Sequence, residues 1–361
     1  YEGDVHDIEI CYDENGIITE INGEDDVVAA FKAAKGIGEA HAEQTAPTVT
    51  AEHDEPVSSD NFTITDEALG EGGQKTKFQA NIAAIRTLKQ IEAENRPATP
   101  EDQEVLSRYV GWGGLAPAFE EDNPSWAAEH KILTELLTAE EYRSARASTL
   151  DAFYTTPLVI DGIYEALSNF GFEGGNVLEP ACGIGNFFGR MSEELRKDSH
   201  LYGVEIDSLS GRIAQALYPT AEITINGFEK NEFQNGSFDV VVGNVPFGYL
   251  GFKDEKHGTT QLHDYFFAES LDKVKPGGVI ALVTSAGTLD KQNEATRAML
   301  AQQADLIGAV RLPSTAFKGN ANTEVTTDII FLQKRSEPPA ELPDWVHIGQ
   351  RFIDGADHSM G

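Results

Sequence analysis

From residue 155 onward, short apolar runs alternate with amphipathic stretches. NVLE (176–179), LYGVEI (201–206), EITIN (222–226), FDVVVGN (238–244), GVIALVTS (278–285) and LIGAVRL (306–312) are short and mostly rich in Val, Ile and Leu. Such runs read as strands buried on both faces. Helical stretches separate most of them, whereas DIIFLQK (328–334) follows the sixth run after a loop. The alternation predicts an α/β, Rossmann-like fold: a parallel sheet with helices on both faces and ligands at the carboxyl ends of its strands.

Upstream the period changes. TKFQANIAAIRTLKQIEAE (76–94) sets Phe78, Ile82, Ile85 and Leu88 on one helical face, with Lys75, Lys77, Arg86 and Lys89 on or beside it. TPEDQEVLSRYV (99–110) predicts a second helix, capped by Thr99 and with Pro100 at its first position. It runs into GWGGLAPAF (111–119), which reads as a structural turn or as a clamp near an active site. Nearer the start, DIEICYDENGIITEING (7–23) predicts a hairpin turning at Asn15-Gly16, and DDVVAAFKAAKGIG (25–38) a short helix ending at Gly36. These patterns divide the chain into a small acidic α+β segment (1–38), a linker (39–62), a helical N-terminal extension (63–150), the α/β domain (151–336) and a C-terminal tail (337–361).

Charge complicates any role on nucleic acid, because the net charge is −33 and phosphates are repelled by it. The excess is uneven: residues 1–70 carry 18 Asp and Glu against only Lys32 and Lys35. That concentration reads as a solvated acidic segment. No apolar run has the length of a membrane span, so no membrane partner is expected. Cys11 and Cys182 offer neither a disulfide framework nor metal-ligand spacing, so a reducing cytoplasm and no metal are expected. The opening YEGDVHDIEI lacks a signal-peptide core and an initiator Met, which suggests a fragment or a processed chain.

Two stretches carry chemistry. NVLEPACGIGNFFGRM is strand, tight glycine loop and helix, where Gly183 and Gly185 admit a ligand close to the backbone. GVEID then ends the second strand with Glu205 and Asp207, placed for ribose hydroxyls. Either a dinucleotide or an S-adenosylmethionine (AdoMet) site can be built this way. The dinucleotide fingerprint wants a third glycine where this chain has Phe188, and Glu179 suits a sulfonium or amine better than a pyrophosphate. AdoMet is the better reading. In FDVVVGNVPFG the apolar run stops at Asn244, and Val245, Pro246 and Phe247 add a bare carbonyl, a rigid turn and an aromatic ring.

VLEPACGIGNFF, GVEID and VVGNVPFG, in this order and spacing, resemble the γ-type N6-adenine DNA methyltransferases. FYTTPLVIDGIYEAL (153–167) looks like that class's extra N-terminal AdoMet motif. GEGGQKTKFQANIAAIRTLKQIEAENRPATPEDQEVLSRYVGWGGL and TEVTTDIIFLQKR are similar to the methylase portion of large methylase–helicase proteins of conjugative elements and phages. The resemblance covers roughly residues 62 to 347.

It implies an AdoMet-dependent methyltransferase sheet, with Thr156 at the methionine end of AdoMet and Glu179, Ala181 and Gly183 shaping its pocket. Glu205 would bind the ribose, Ile206 would pack on the adenine ring, and Phe228 would flank it. The family's Asp before that Phe, which takes the adenine amino group, is replaced here by Gly227. The target would be an adenine flipped from double-stranded DNA, its amine held by Asn244 and the Val245 carbonyl and its ring stacked on Phe247. The family has Asn-Pro-Pro-Phe or Tyr, so Val245 departs from it; Pro246 keeps Val245 extended.

Phe317, in RLPSTAFKG (311–319), is the candidate second aromatic against the flipped base. Lys253, Lys256, His257 and His263 lie where DNA phosphates could pass, and His263-Asp264 alone makes a thin acid–base pair. A helicase or a target-recognition domain outside this chain is the expected partner. Two other readings share the fold: a protein glutamine N5-methyltransferase, and a catalytically silent binding or DNA-mimic module.

Overall fold

The computed structural model describes residues 9–12, 18–22, 60–150, 155–248, 251, 253–313, 326–353 and 356–360. The chain forms two compact units, Tyr1–Asp54 and Glu55–Gly361. In the first, β1 (Glu9–Tyr12) and β2 (Ile18–Asn22) pair antiparallel with Ile10 opposite Ile21, as the hairpin pattern predicts. The turn at Asn15-Gly16 and the helix expected over 25–38 lie outside the described residues.

The second unit begins with helices. α1 (Gln74–Glu94) buries Phe78, Ile82, Ile85 and Leu88, the stripe that its period marked. α2 (Pro100–Leu106) starts at a capping box in which Thr99 accepts from the Asp102 backbone and Asp102 accepts from the Thr99 backbone. It ends sooner than its sequence pattern suggests. The buried Asn81 side chain accepts the Val110 N–H at 2.9 Å and donates to the Gly111 carbonyl at 2.6 Å, drawing the chain out of the helix. The glycine-rich stretch that follows is a packed turn: Trp112 is buried edge-on to Phe78, Tyr109 and Phe119, and Gly111 and Gly114 take positive φ. α3 (Ala127–Leu136) and α4 (Ala139–Ala147) complete this part.

Then come α5 (Pro157–Asn169), β3 (Gly175–Glu179), α6 (Asn186–Arg190), α7 (Glu193–Lys197), β4 (Ser199–Glu205), α8 (Ser208–Leu217), β5 (Glu222–Ile225) and β6 (Phe238–Asn244). They are followed by α9 (Leu262–Lys273), β7 (Val274–Ser285), α10 (Gly287–Asp290), α11 (Ala295–Gln303), β8 (Ala304–Leu312) and β9 (Thr327–Lys334). A last hairpin joins β10 (Gly349–Ile353) and β11 (Ala356–Met360).

The sheet has seven strands in the order β5-β4-β3-β6-β7-β9-β8. Six run in one direction and β9 alone runs against them, between β7 and β8, so the sheet is mixed where alternation alone suggests a parallel one. β9 pairs antiparallel with both of its neighbours, Ile330 standing opposite Leu282 of β7 and Ala309 of β8.

Both faces are covered. Val177, Val240, Val242 and Val283 belong to one core with residues of α1, α2, α5 and α8; Leu178, Val241, Ile280 and Leu282 belong to another with α9 and α11. Neighbouring valines of β6 point to opposite faces and both faces are buried, which is why the run is apolar without interruption.

The helical part is bound to the sheet. Phe62 N–H donates to the Leu217 carbonyl at 2.8 Å and Ile64 N–H to that of Gly189 at 3.0 Å. Buried Glu141 of α4 takes Lys89 at 2.8 Å and Arg212 of α8 at 2.5 Å. Among the described residues no helix is long and apolar enough to cross a membrane.

Candidate active site

The carboxyl ends of β5, β4, β3 and β6 stand side by side, and most of the residues singled out above fall there. After Glu179 the chain turns through Pro180–Gly185 into α6. Gly183 has φ +54° and Gly185 φ +83°, a region that side chains other than glycine seldom adopt. At Gly185 there is also no space, since a Cβ would lie 2.5 Å from the Tyr218 ring. The Cys182 N–H donates to the Val204 carbonyl at 3.0 Å, pinning the loop to β4. Phe188, where a dinucleotide loop would want glycine, is fully buried edge-on to Tyr218.

Two acids face this loop. Glu205 accepts the Gly183 N–H through Oε2 and the Asp207 N–H through Oε1, each at 2.7 Å. Each oxygen keeps a second lone pair for a hydroxyl. Burial pushes the Glu205 carboxyl up to about 7, although those backbone N–H groups pull it down. Glu179 is 3% exposed, and its Oε2 has no hydrogen-bond partner. Burial, with the Glu205 charge adding to it, holds the Glu179 carboxyl well above the usual carboxylate range. Burial likewise pushes up the Cys182 thiol, so this cysteine packs and stays protonated.

Around the acids lie a platform and a cap. Ile206 is 76% exposed, an apolar side chain bare beside Glu205. Phe228, just past the end of β5, is buried and stacked on Phe266 with ring centroids 5.2 Å apart. Thr156 caps α5 without spending its hydroxyl on a capping hydrogen bond, and Ala181 is half-buried. The buried partnerless carboxyl, the open glycine loop and the bare Ile206 together fit a ligand with a cationic centre, ribose hydroxyls and a flat ring.

The loop after β6 adjoins this pocket. Gly243 lies so close to Glu179 that a Cβ there would come 3.3 Å from the Glu179 Cγ. Asn244 pairs with Val283, and the Val245 N–H donates to the Val283 carbonyl at 3.1 Å. Among the described residues the Val245 carbonyl accepts no hydrogen bond. Pro246 and Phe247 are half-buried, and Phe247 meets the His263 ring edge-on with centroids 6.4 Å apart.

His263 is buried, and that burial holds its imidazole below its ordinary range. Its neighbour Asp264 is bound by Lys291 and Thr296, so the two do not form an isolated acid–base pair. Phe317 lies outside the described residues.

Of the cations after this loop, Lys253 pairs with Glu255, while Lys256 lies 2.8 Å from Glu269 and 2.6 Å from Asp272. His257, Glu269 and Asp272 have metal-like spacing, but the Lys256 ammonium already bridges the two carboxylates. Sequence reasoning passed over Asp254, whose carboxylate accepts the backbone N–H groups of Lys256, His257 and Thr259 and thereby shapes this segment. An Asp with Gly and Thr a few residues on is the usual signature of such a loop, and it could have been read.

A mixed seven-stranded sheet with this order and a glycine-loop pocket at its carboxyl edge defines a Rossmann-like methyltransferase. Residues 135–344 match the N-6 DNA Methylase family, more than half of the chain, and the chain belongs to that family. With the family comes its methyl donor, AdoMet.

The chain is 29% identical over 285 residues to the Defense against restriction protein B of Escherichia phage P1, covering 77% of this chain and 11% of that protein. It is 27% identical over 192 residues to the Type II methyltransferase M.CvrRI of Paramecium bursaria Chlorella virus XZ-6E, covering 51% and 48%. The chain thus spans a minor part of the first relative and about half of the second.

Among solved structures, a putative class I AdoMet-dependent methyltransferase of Listeria monocytogenes aligns with TM-score 0.45 and 18% identity, covering 74% of this chain and 92% of that one. The M protein of the type I restriction enzyme EcoKI aligns with TM-score 0.42 and 18% identity, covering 73% and 64%.

Proposed function

We propose that this protein transfers the methyl group of AdoMet to N6 of an adenine turned out of double-stranded DNA into the loop Asn244-Val245-Pro246-Phe247. Bound AdoMet supplies an electrophilic methyl on a sulfonium. Thr156, Ala181, Gly183 and Gly185 hold its amino-acid end, Glu179 faces its positive charge, Glu205 takes the ribose, and Ile206 and Phe228 flank the adenine.

The observation that carries the reading is the unengaged Val245 carbonyl beside Asn244, one residue from Gly243 and its contact with Glu179. An exocyclic amine is a weak nucleophile because its lone pair is delocalised into the ring. Two acceptors on its hydrogens, Asn244 Oδ1 and Val245 O, favour the tetrahedral nitrogen and stabilise charge as it develops. Fixing the amine beside the donor pocket contributes as an effective concentration. Phe247 offers the extruded base a stacking surface.

We assign the choice of target sequence to a recognition domain or helicase acting with this chain; the phage relative, of which the chain spans 11%, is long enough to carry one. Incubation with tritiated AdoMet and either duplex DNA or a glutamine-bearing protein tests the reading. Label should enter adenine of the DNA. Asn244→Ala should abolish transfer while AdoMet affinity stays within a few-fold, and label in the protein acceptor instead would overturn the proposal.

A further inference from the structure

β4 and β5 run parallel with Glu205 opposite Ile225, and the Asn226 N–H donates to the Glu205 carbonyl at 2.9 Å, carrying the pairing past the strand end. Side chains alternate along an extended chain, so Gly227, two residues beyond Ile225, points to the same face as Glu205. The packing agrees: a Cβ on Gly211 of α8 would lie 2.7 Å from the Ile225 side chain and 3.6 Å from that of Glu205.

Gly227 is not empty of chemistry. A Cβ built there would lie 2.3 Å from each oxygen of the Glu229 carboxylate. The short 3-10 turn Phe228–Lys230 folds this side chain back over the glycine, so a carboxylate from residue 229 fills the space of a side chain at 227. Glu205 ends β4 with the bare Ile206 next to it, and the exposed Glu229 carboxylate lies over Gly227, just past the end of the neighbouring β5. A bare apolar side chain and acceptors at two adjacent strand ends suit a flat ring that carries hydroxyls and an N–H-donating edge.

We infer that Glu229 reads the cofactor's purine: its carboxylate accepts the 6-amino group of AdoMet, and Gly227 is glycine to leave it room. This rests on the AdoMet pocket proposed above. A 6-oxo purine would turn an acceptor toward the carboxylate and be rejected, because an unpaired or opposed acceptor costs more than a lost contact.

Calorimetry with AdoMet and with its analogue carrying hypoxanthine in place of adenine tests this, with circular dichroism confirming that each variant is folded. Wild type should bind AdoMet at least ~10-fold more tightly than the 6-oxo analogue, the scale of one hydrogen bond to a charged group. Glu229→Ala should lose most of that preference, and Glu229→Gln should narrow it because its amide can donate to the 6-oxo group. Gly227→Asp alone should weaken AdoMet binding by colliding with Glu229, whereas Gly227→Asp with Glu229→Ala should restore both affinity and preference.

If wild type binds no AdoMet, the pocket itself is misassigned. If wild type binds and discriminates but Glu229→Ala discriminates equally, the role of Glu229 alone is overturned.

Discussion

Glu205 braces the glycine loop: one carboxylate oxygen accepts the N–H of Gly183 and the other that of Asp207, each at 2.7 Å. The glycine loop and the acid to which we assign the ribose of AdoMet are thus one hydrogen-bonded unit. Ser144 extends it, donating to Asp207 at 2.8 Å from α4, so the helices ahead of the sheet reach this unit.

That unit predicts a pH dependence. Burial raises Glu205 to about 7 in the free protein, while hydroxyl donors and a nearby sulfonium favour its ionised form. Binding below pH 7 should therefore release a proton, and AdoMet affinity should rise with pH and level off above about 7. Without ligand the sign reverses. Between the ordinary carboxyl range and about 7 the folded state holds a proton that the unfolded chain has released, so stability falls as pH rises through that window. The thermal shift given by AdoMet should be larger at pH 8 than at pH 6. Equal shifts at both would show that Glu205 does not change its charge on binding.

Phe247 is half-buried and lies nearly perpendicular to the His263 ring. Phe247→Ala should lose ~1–3 kcal/mol of stacking, and Phe247→Tyr or Trp should keep much of the activity. Extrusion costs least for a mispaired base, so an adenine opposite a mismatch should partly rescue the Ala variant. Fluorescence of 2-aminopurine at the target position reads the flip. No rescue, with a lowered melting temperature instead, would make Phe247 a packing residue.

Residues 60–64 are tied to the sheet unit through Phe62 and Ile64, so the cut to make is after Asp54, the end of the first unit. Deleting residues 1–54 removes much of the acidic excess. DNA affinity should rise, most clearly at low salt, while AdoMet binding stays intact. A titration at two salt concentrations decides this, and a loss of DNA binding would assign the segment to target recognition.

Gly185→Ala should destabilise the fold by roughly 1–3 kcal/mol, since it forces a side chain into positive φ and against Tyr218. Cutting back Tyr218 to Leu in the same chain should recover only the steric part, measured as the denaturation midpoint. Full tolerance of Gly185→Ala would mean that the loop is not held in this conformation.

The order of elements, the buried strands and the break in the apolar run at the end of β6 were legible in the sequence, because period and turn residues are local properties of the chain. FDVVVGN begins and ends as the strand does, since its valines serve two buried faces and Asn244-Val245-Pro246 cannot prolong the run. Tertiary structure alone decided the rest. That β9 inserts between β7 and β8 and runs against both is a pairing between strands, which no single run of sequence carries. That Gly185 answers to Tyr218, and that Asn81 stops α2, are contacts across 33 and 29 residues that no window of sequence contains. The same holds for the acids. Glu179 and Glu205 are ordinary carboxylates in a string of letters, and only their burial in the folded chain, with the Glu205 charge adding to it at Glu179, raises their affinities for protons.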